Sequence, residues 1–333
     1  MSQFRQNPIS KHWVLIAPNR SKRPEEFGTT AATDLDLPEI DKTCAFCPGN
    51  ESLNLEIDRF PHSPKNSTDW LIRIIPNKYE ILAHVPVSKH AEFYVNRSGS
   101  GDNEVVITRK HNEPVALQSV QTIEQTMHVF KNRILDLSLR EHLAYVQIFH
   151  NHGRDAGASL IHPHHQIIAT PIIPPGIHDE ISGCYYHRQN TGNCIYCEII
   201  DEERTQRERV LFETDLFIVF APYASRTPFE MWILPKRHSS NFEESTDEEL
   251  AGLAQVLKTT SEKLYVKLND PPLNFYLHTM PFEHPTKHTV YDKKAYHWHI
   301  TVFTRLTIWA GFEYSTGIPI NPLSPEDAVA FLK

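Results

Sequence analysis

A chain of 333 residues with 40% apolar side chains can bury one large core or two of ordinary size. Its net charge of −8 gives no footing to a nucleic-acid-binding surface. No apolar run is long enough to cross a membrane, and the first residues lack the basic-then-apolar pattern of a secretion signal, so a cytoplasmic protein without a membrane partner is expected.

In chain order, the first landmark is Cys44-Ala-Phe-Cys47. In a long chain without a signal peptide, paired cysteines read as metal ligands or a redox site before they read as disulfides. A β-like run from Trp70 to Ile75 ends at Pro76-Asn77, and Glu104–Thr108 leads to His111. Leu117 to about Leu137 has the three-and-four spacing of an amphipathic helix. Ala144–His150 reads as a strand, and His162-Pro-His164-His165-Gln166 opens another. Pro171 to Asn193, rich in Pro and Gly, reads as a connector, with loops over 84–103 and 280–294 and an acidic one near 31–42.

The order then repeats. Cys194-Ile-Tyr-Cys197, a strand from Leu216, Met231–Leu234 leading to His238, a helix from about Asp247 to Lys267, the strand Asn274–His278 and His297-Trp-His299 follow one another. Each half therefore reads as a C-x-x-C, strands, a lone histidine, a helix, a strand and an H-x-H. The expectation is an α+β fold of duplicated half-domains, 1–175 and 176–333, sharing one continuous or an abutting pair of antiparallel sheets, with helices packed on them and the H-x-H strands at sheet edges. Ser324-Pro-Glu-Asp looks like the capped start of a last helix.

Zinc takes four thiolate or imidazole ligands in a tetrahedron, and a C-x-x-C turn offers two. The first set is assigned as Cys44, Cys47, His111 and His162, and the second as Cys194, Cys197, His238 and His297. At the second site His299, His288 and Glu180 compete, and iron is an alternative to zinc. Cys184 stands apart as a small buried residue. A thioredoxin-like redox site would want one such motif in a βαβ setting, not two at matched places.

Alternation along a strand places His162, His164 and Gln166 on one face, so one histidine can hold metal while the next faces a substrate. A neutral imidazole is a capable nucleophile toward phosphorus when its other nitrogen donates to a carbonyl. Upstream, Asn151, Gly157, Ala158 and Ser159 lie in a small-residue loop whose N–H groups can approach phosphate oxygens. His164 and Gln166 are the candidate catalytic residues.

These motifs resemble the galactose-1-phosphate uridylyltransferase family of the histidine-triad superfamily. The similarity runs from Asn7-Pro-Ile-Ser through His164-His165-Gln166 to the tail. It implies a nucleotidyl-His164 intermediate formed from a nucleotide-sugar, UDP-glucose, and passed to a sugar phosphate, galactose 1-phosphate. It also implies binding roles for Arg20, Arg23, Asn77, Asn151, Gly157, Ala158 and Ser159, and a homodimer. Gln166 stands where hydrolases of the superfamily carry a third histidine, which favours transfer over hydrolysis. Lys78 replaces an acidic residue, Gly317–Asn321 lacks the family's hexose-contacting glutamine, and the second C-x-x-C is similar to the ADP-glucose phosphorylase branch, an adenylyltransferase acting on inorganic phosphate. Base and acceptor stay open, and a zinc-stabilised nucleotide-binding or scaffold protein without transfer activity is the alternative of another class.

Overall fold

The computed structural model describes residues 2–18, 37–64, 67–82, 94–284 and 291–333. In the first half, β3 (Asp58–Phe60), β4 (Ile72–Pro76), β5 (Asp102–Thr108), α1 (Val120–Ser138), β6 (Tyr145–His152) and β7 (His164–Thr170) follow one another. In the second, β8 (Val210–Glu213), β9 (Phe217–Phe220), β10 (Met231–Pro235), α4 (Asp247–Leu268), β11 (Leu273–His278) and β12 (His299–Thr304) repeat that order. Between them lie α2 (Pro175–Thr191) and α3 (Ile195–Gln206).

Among the described residues, ten strands join in one sheet ordered β3-β4-β5-β7-β6-β11-β12-β10-β9-β8. The second five strands mirror the first five, so β6 and β11 meet antiparallel at a central seam. The offset that relates His111 to His238 also relates the helix caps Ser119 and Thr246, and Phe149 to Tyr276. Phe149 and Tyr276 face each other directly across the seam, which puts the pseudo-two-fold axis between them. The H-x-H strands are interior rather than edge strands: β7 lies between β5 and β6, and β12 between β11 and β10. The unbroken apolar run Ile167, Ile168 and Ala169 in β7 suits a strand paired on both sides.

One face of the sheet is closed by α1 and α4. Phe130, Ile134 and Leu137 from α1, and Leu253, Leu257 and Leu264 from α4, share a core with Val106, Ile148, Ile167, Phe275 and Ile300. Each helix begins on a side-chain cap: Ser119 accepts from Thr122 N, and Thr246 with Glu249 forms a reciprocal capping box. Among the described residues, two apolar clusters cover the flanks of the opposite face. Trp70, Ile75, Val105 and Ile107 cluster on one side, and α3 residues pack on Phe220, Trp232 and Leu234 on the other. Between these clusters, alternation leaves His164, Gln166, Asn151, Asn274 and Tyr276 on the central strands.

The stretch read as a connector contains a 17-residue helix, α2. Its prolines and glycine are the helix's start and stop, with Pro175 in the first turn and Gly192 left-handed (φ 81°) at the C-terminal cap. A second, three-stranded sheet ties β1 (Gln3–Gln6) and β2 (Trp13–Ile16) to β13 (Ile320–Asn321), after the short helix α5 (Gly311–Thr316) and before α6 (Pro325–Leu332). The capped start at Ser324 is present, its hydroxyl accepting from Asp327 N. Of the expected loops, 37–42, 94–101, 280–284 and 291–294 are irregular apart from turns, while Asp102 and Asn103 already belong to β5. No helix among the described residues is long and apolar enough to cross a membrane.

Candidate active site and metal centres

His162 lies just before β7, and its Nε2 donates to the carbonyl of Thr108 at 2.6 Å. A carbonyl only accepts, so the ring proton sits on Nε2 and Nδ1 is left bare. That bare Nδ1 faces sulfur, 3.6 Å from Cys44 Sγ and 3.4 Å from Cys47 Sγ. His111 Nδ1 is 3.5 Å from Cys47 Sγ. The four ligand atoms lie within 4.8 Å of one another. Burial, with the neighbouring Cys44, pushes the Cys47 thiol up to about 11, a cost that a cation between the sulfurs removes.

The second half repeats the arrangement. His297 Nε2 donates to Pro235 O at 2.9 Å and His238 Nε2 to Lys293 O at 3.0 Å, leaving both Nδ1 atoms toward Cys197 Sγ at 3.8 and 3.5 Å. Cys194, Cys197, His238 and His297 also lie within 4.8 Å of one another. A tetrahedral zinc with its usual bond lengths spaces sulfur and nitrogen about 3.6 Å apart. Both sets fit, and the carbonyl partners are those a metal-bound histidine usually has.

Of the three competitors for the second site, His299 and Glu180 form a different group. Glu180 Oε2 lies 2.9 Å from His278 Nδ1, and the His278 ring stacks on His299 at 4.4 Å. Tyr296 Oη donates to the same carboxylate at 3.2 Å. Glu180, His278 and His299 make a third cluster able to hold a metal ion. His288 lies outside the described residues.

His164 is tied to the first metal set through its backbone neighbour. Its Nδ1 donates to the carbonyl of His162 at 2.8 Å, which leaves Nε2 with its lone pair. No hydrogen bond among the described residues occupies Nε2. Burial holds the ring's pKa below the ordinary 6.5, so the neutral form persists through neutral pH. Phe46, inside the first C-x-x-C turn, meets the His164 ring edge-on at 5.5 Å and restricts its swing. Gln166 is two residues along the same face, opposite Phe149.

The small-residue loop follows directly on β6. Gly153 (φ 82°) and Gly157 (φ 88°) are left-handed on either side of a short 3-10 turn, conformations that favour glycine. A Cβ on Gly157 would stand 3.8 Å from Asn151 Nδ2, so the loop passes directly over Asn151. Ala158 N donates to Gly153 O, whereas Ser159 is exposed. Asn274, from the other half, clamps the arrangement: its Nδ2 donates to Asn151 Oδ1 at 2.7 Å and to Ala156 O at 2.8 Å.

The remaining candidates are more distant. Asn77 follows β4, two strands from β7, and its Oδ1 accepts from Tyr79 N at 3.0 Å. Arg20 and Arg23 lie outside the described residues. Sequence reasoning gave no role to Phe46, Asn274 or His278. Phe46 had a signal, its place between two ligands, while Asn274 had none without the seam's register.

Comparison with known proteins identifies the family. Residues 1–174 match the family model for the N-terminal domain of galactose-1-phosphate uridyl transferase, and residues 180–332 that for its C-terminal domain. The chain is 30% identical to an ADP-glucose phosphorylase of Arabidopsis thaliana, over 99% of this chain and 92% of that one. It is 29% identical to a galactose-1-phosphate uridylyltransferase of Thermotoga maritima, over 100% and 98%. The crystal structure of an Arabidopsis thaliana ADP-glucose phosphorylase with bound ADP-glucose superposes with a TM-score of 0.82 at 30% identity, covering 100% of this chain and 98% of that one.

Proposed function

Because this chain belongs to the galactose-1-phosphate uridyl transferase family, we propose that it is a nucleotidyltransferase in which His164 carries the nucleotide between two phosphates. The supporting observation is the tautomer fixed at His164, with the proton on Nδ1 and the lone pair on Nε2. In the first step Nε2 bonds to the α-phosphorus of UDP-glucose, the bond from that phosphorus to the bridging oxygen breaks, and glucose 1-phosphate leaves. In the second, a phosphate oxygen of galactose 1-phosphate attacks the same phosphorus and the N–P bond breaks. The ring becomes cationic in between, and the His162 carbonyl stabilises its Nδ1–H.

The N–H groups of Ala156, Gly157 and Ala158 are taken by the turn's own carbonyls, so the neutral donors for the phosphate oxygens are Ser159 at the loop's end, Asn151 and Gln166. Arg20, Arg23 and Asn77 take nucleotide-binding roles by family resemblance, which also supports a cytoplasmic homodimer and half-domains at 1–175 and 176–333. Cys44, Cys47, His111 and His162, and their counterparts Cys194, Cys197, His238 and His297, would hold zinc, which when bound would tie distant strands together and steady the His162 backbone against which His164 is oriented.

A second reading uses ADP-glucose as donor and inorganic phosphate as acceptor. It is favoured by the likeness to the Arabidopsis thaliana ADP-glucose phosphorylase and by the complete second Cys/His set. Mass spectrometry of the protein mixed with UDP-glucose or ADP-glucose distinguishes the two, through a uridylyl or an adenylyl adduct on His164. His164→Asn should lose the adduct and all transfer while keeping its metal content. A wild-type protein that gains no mass from either donor sinks both readings. Metal analysis should find two zinc per chain at the Cys₂His₂ sets, and Cys44→Ser should remove one of them and lower the melting temperature.

A further inference from the structure

The back face of the sheet, where α1 and α4 pack, holds two buried histidines that the proposed chemistry does not use. His150 and His165 are directly opposed across β6 and β7, at 1% and 2% exposure. A buried histidine pair among apolar helices is costly, and each polar atom there invites an account. Among the described residues His165 has no hydrogen-bond partner on either nitrogen. His150 has one: its Nδ1 lies 2.8 Å from the carbonyl oxygen of His164.

We infer that His150 is a positioning residue for the nucleophile, acting through the backbone carbonyl of His164; this rests on the reading of His164 as the group that takes the nucleotide. A carbonyl only accepts, so His150 carries its proton on Nδ1 and donates it forward through the sheet. The ladder between β6 and β7 ends at the His150–His165 pair, one residue short of His164. At that point the donor from the His150 ring ties the two strands together. His164 is thereby anchored at both ends, its ring by the His162 carbonyl on the front and its peptide by His150 behind. Two torsions that would let Nε2 wander are fixed together.

The ring doing this is itself held. Phe275 stacks on His150 at 5.2 Å, His165 leans against it at 4.7 Å, and His152 lies parallel at 6.5 Å. Burial keeps His150 neutral, its pKa well below 6.5, so its single proton stays committed to the carbonyl. Among the described residues Nε2 of His150 is buried without a partner, so the Nδ1 contact to the His164 carbonyl is the hydrogen bond that holds the ring.

Side-chain geometry offers a direct test. The amide nitrogen of asparagine overlays Nδ1 of histidine, and that of glutamine overlays Nε2. Rapid mixing of the wild type with UDP-glucose or ADP-glucose, read as the rate of adduct formation on His164, is compared with H150N, H150Q and H150F. Misplacing a nucleophile by about 1 Å costs about a hundredfold in rate. H150Q and H150F should slow adduct formation by about ten- to a hundredfold, with KM for the nucleotide-sugar little changed, and H150N should recover most of the rate. Circular dichroism and metal content establish that each variant is folded, and the N/Q pair keeps the comparison valid if H150F does not fold. Equal rates for H150N and H150Q, or wild-type rates in H150Q or H150F, overturn the inference while leaving the functional reading intact. A wild type that forms no adduct overturns both.

Discussion

Asn274 concentrates much of the site's order in one amide. Its two donated hydrogen bonds hold Asn151 and the carbonyl of Ala156, so strand and loop are joined by a side chain from outside the nucleophile's own half. Asn274→Asp replaces the donor with a carboxylate facing two acceptors. Leaving such groups unsatisfied costs about 1–3 kcal/mol. If the loop donates to phosphate oxygens in the transition state, kcat/KM should fall by a comparable amount, about five- to a hundredfold, and steady-state kinetics with the preferred donor measures it. Asn274→Ala should be milder, since it removes the donor without adding charge. At this scale the sequence was legible where spacing dictates geometry. An H-x-H before a strand does bring both rings to one side, and two C-x-x-C turns do gather histidines from far along the chain. It was not legible where a partner comes from register. Nothing in Asn274 or His150 says that a seam or a neighbouring carbonyl awaits it.

Among the elements, the edge of the sheet is secured by charge. Glu56 accepts from Arg59 Nε at 2.6 Å with one oxygen and from Arg73 Nε at 2.8 Å with the other, bracing β3 against β4. Burial opposes ionisation of this carboxyl, yet the two guanidinium groups outweigh it and hold its pKa below the ordinary 4.5. A carboxyl whose pKa is lower folded than unfolded stabilises fully above the unfolded value, and the contribution is lost as pH falls through the folded one. Breaking a buried pair by removing one partner costs about 3 kcal/mol or more. Glu56→Gln should therefore lower the melting temperature at pH 7, and the gap to the wild type should close as pH drops below about 4.5. A gap that stays constant across pH 3–7 would exclude the charge as its source. Helices α1 and α4 were readable from their periodicity and caps. The helix α2 was hidden because Pro and Gly mark loops and helix ends alike, and its weak apolar stripe gave no periodic signal to decide between them.

Across the whole molecule, duplication has produced one sheet rather than two abutting domains. The order of landmarks in the sequence implied two copies of one unit and left a continuous sheet and an abutting pair both open, but it did not say that β6 and β11 are the strands that join or that the H-x-H strands would be interior. Fusion has an energetic corollary: a fragment ending at residue 175 would expose β6 as an unpaired edge and lose the clamp from Asn274. Expressed alone it should aggregate, or form no nucleotidyl adduct even where it binds metal at Cys44, Cys47, His111 and His162. Size-exclusion chromatography with the mass assay checks both outcomes.

The seam also sets an order of events during synthesis. Asn274 follows Asn151 by 123 residues and Ala156 by 118, so the nucleophile leaves the ribosome well before the side chain that holds its loop. Throughout that interval β6 is a ready template for any passing strand. Competence for chemistry arrives late, with the second copy's arrival at the sheet, and a nascent chain that stalls before β11 carries a nucleophile without its setting.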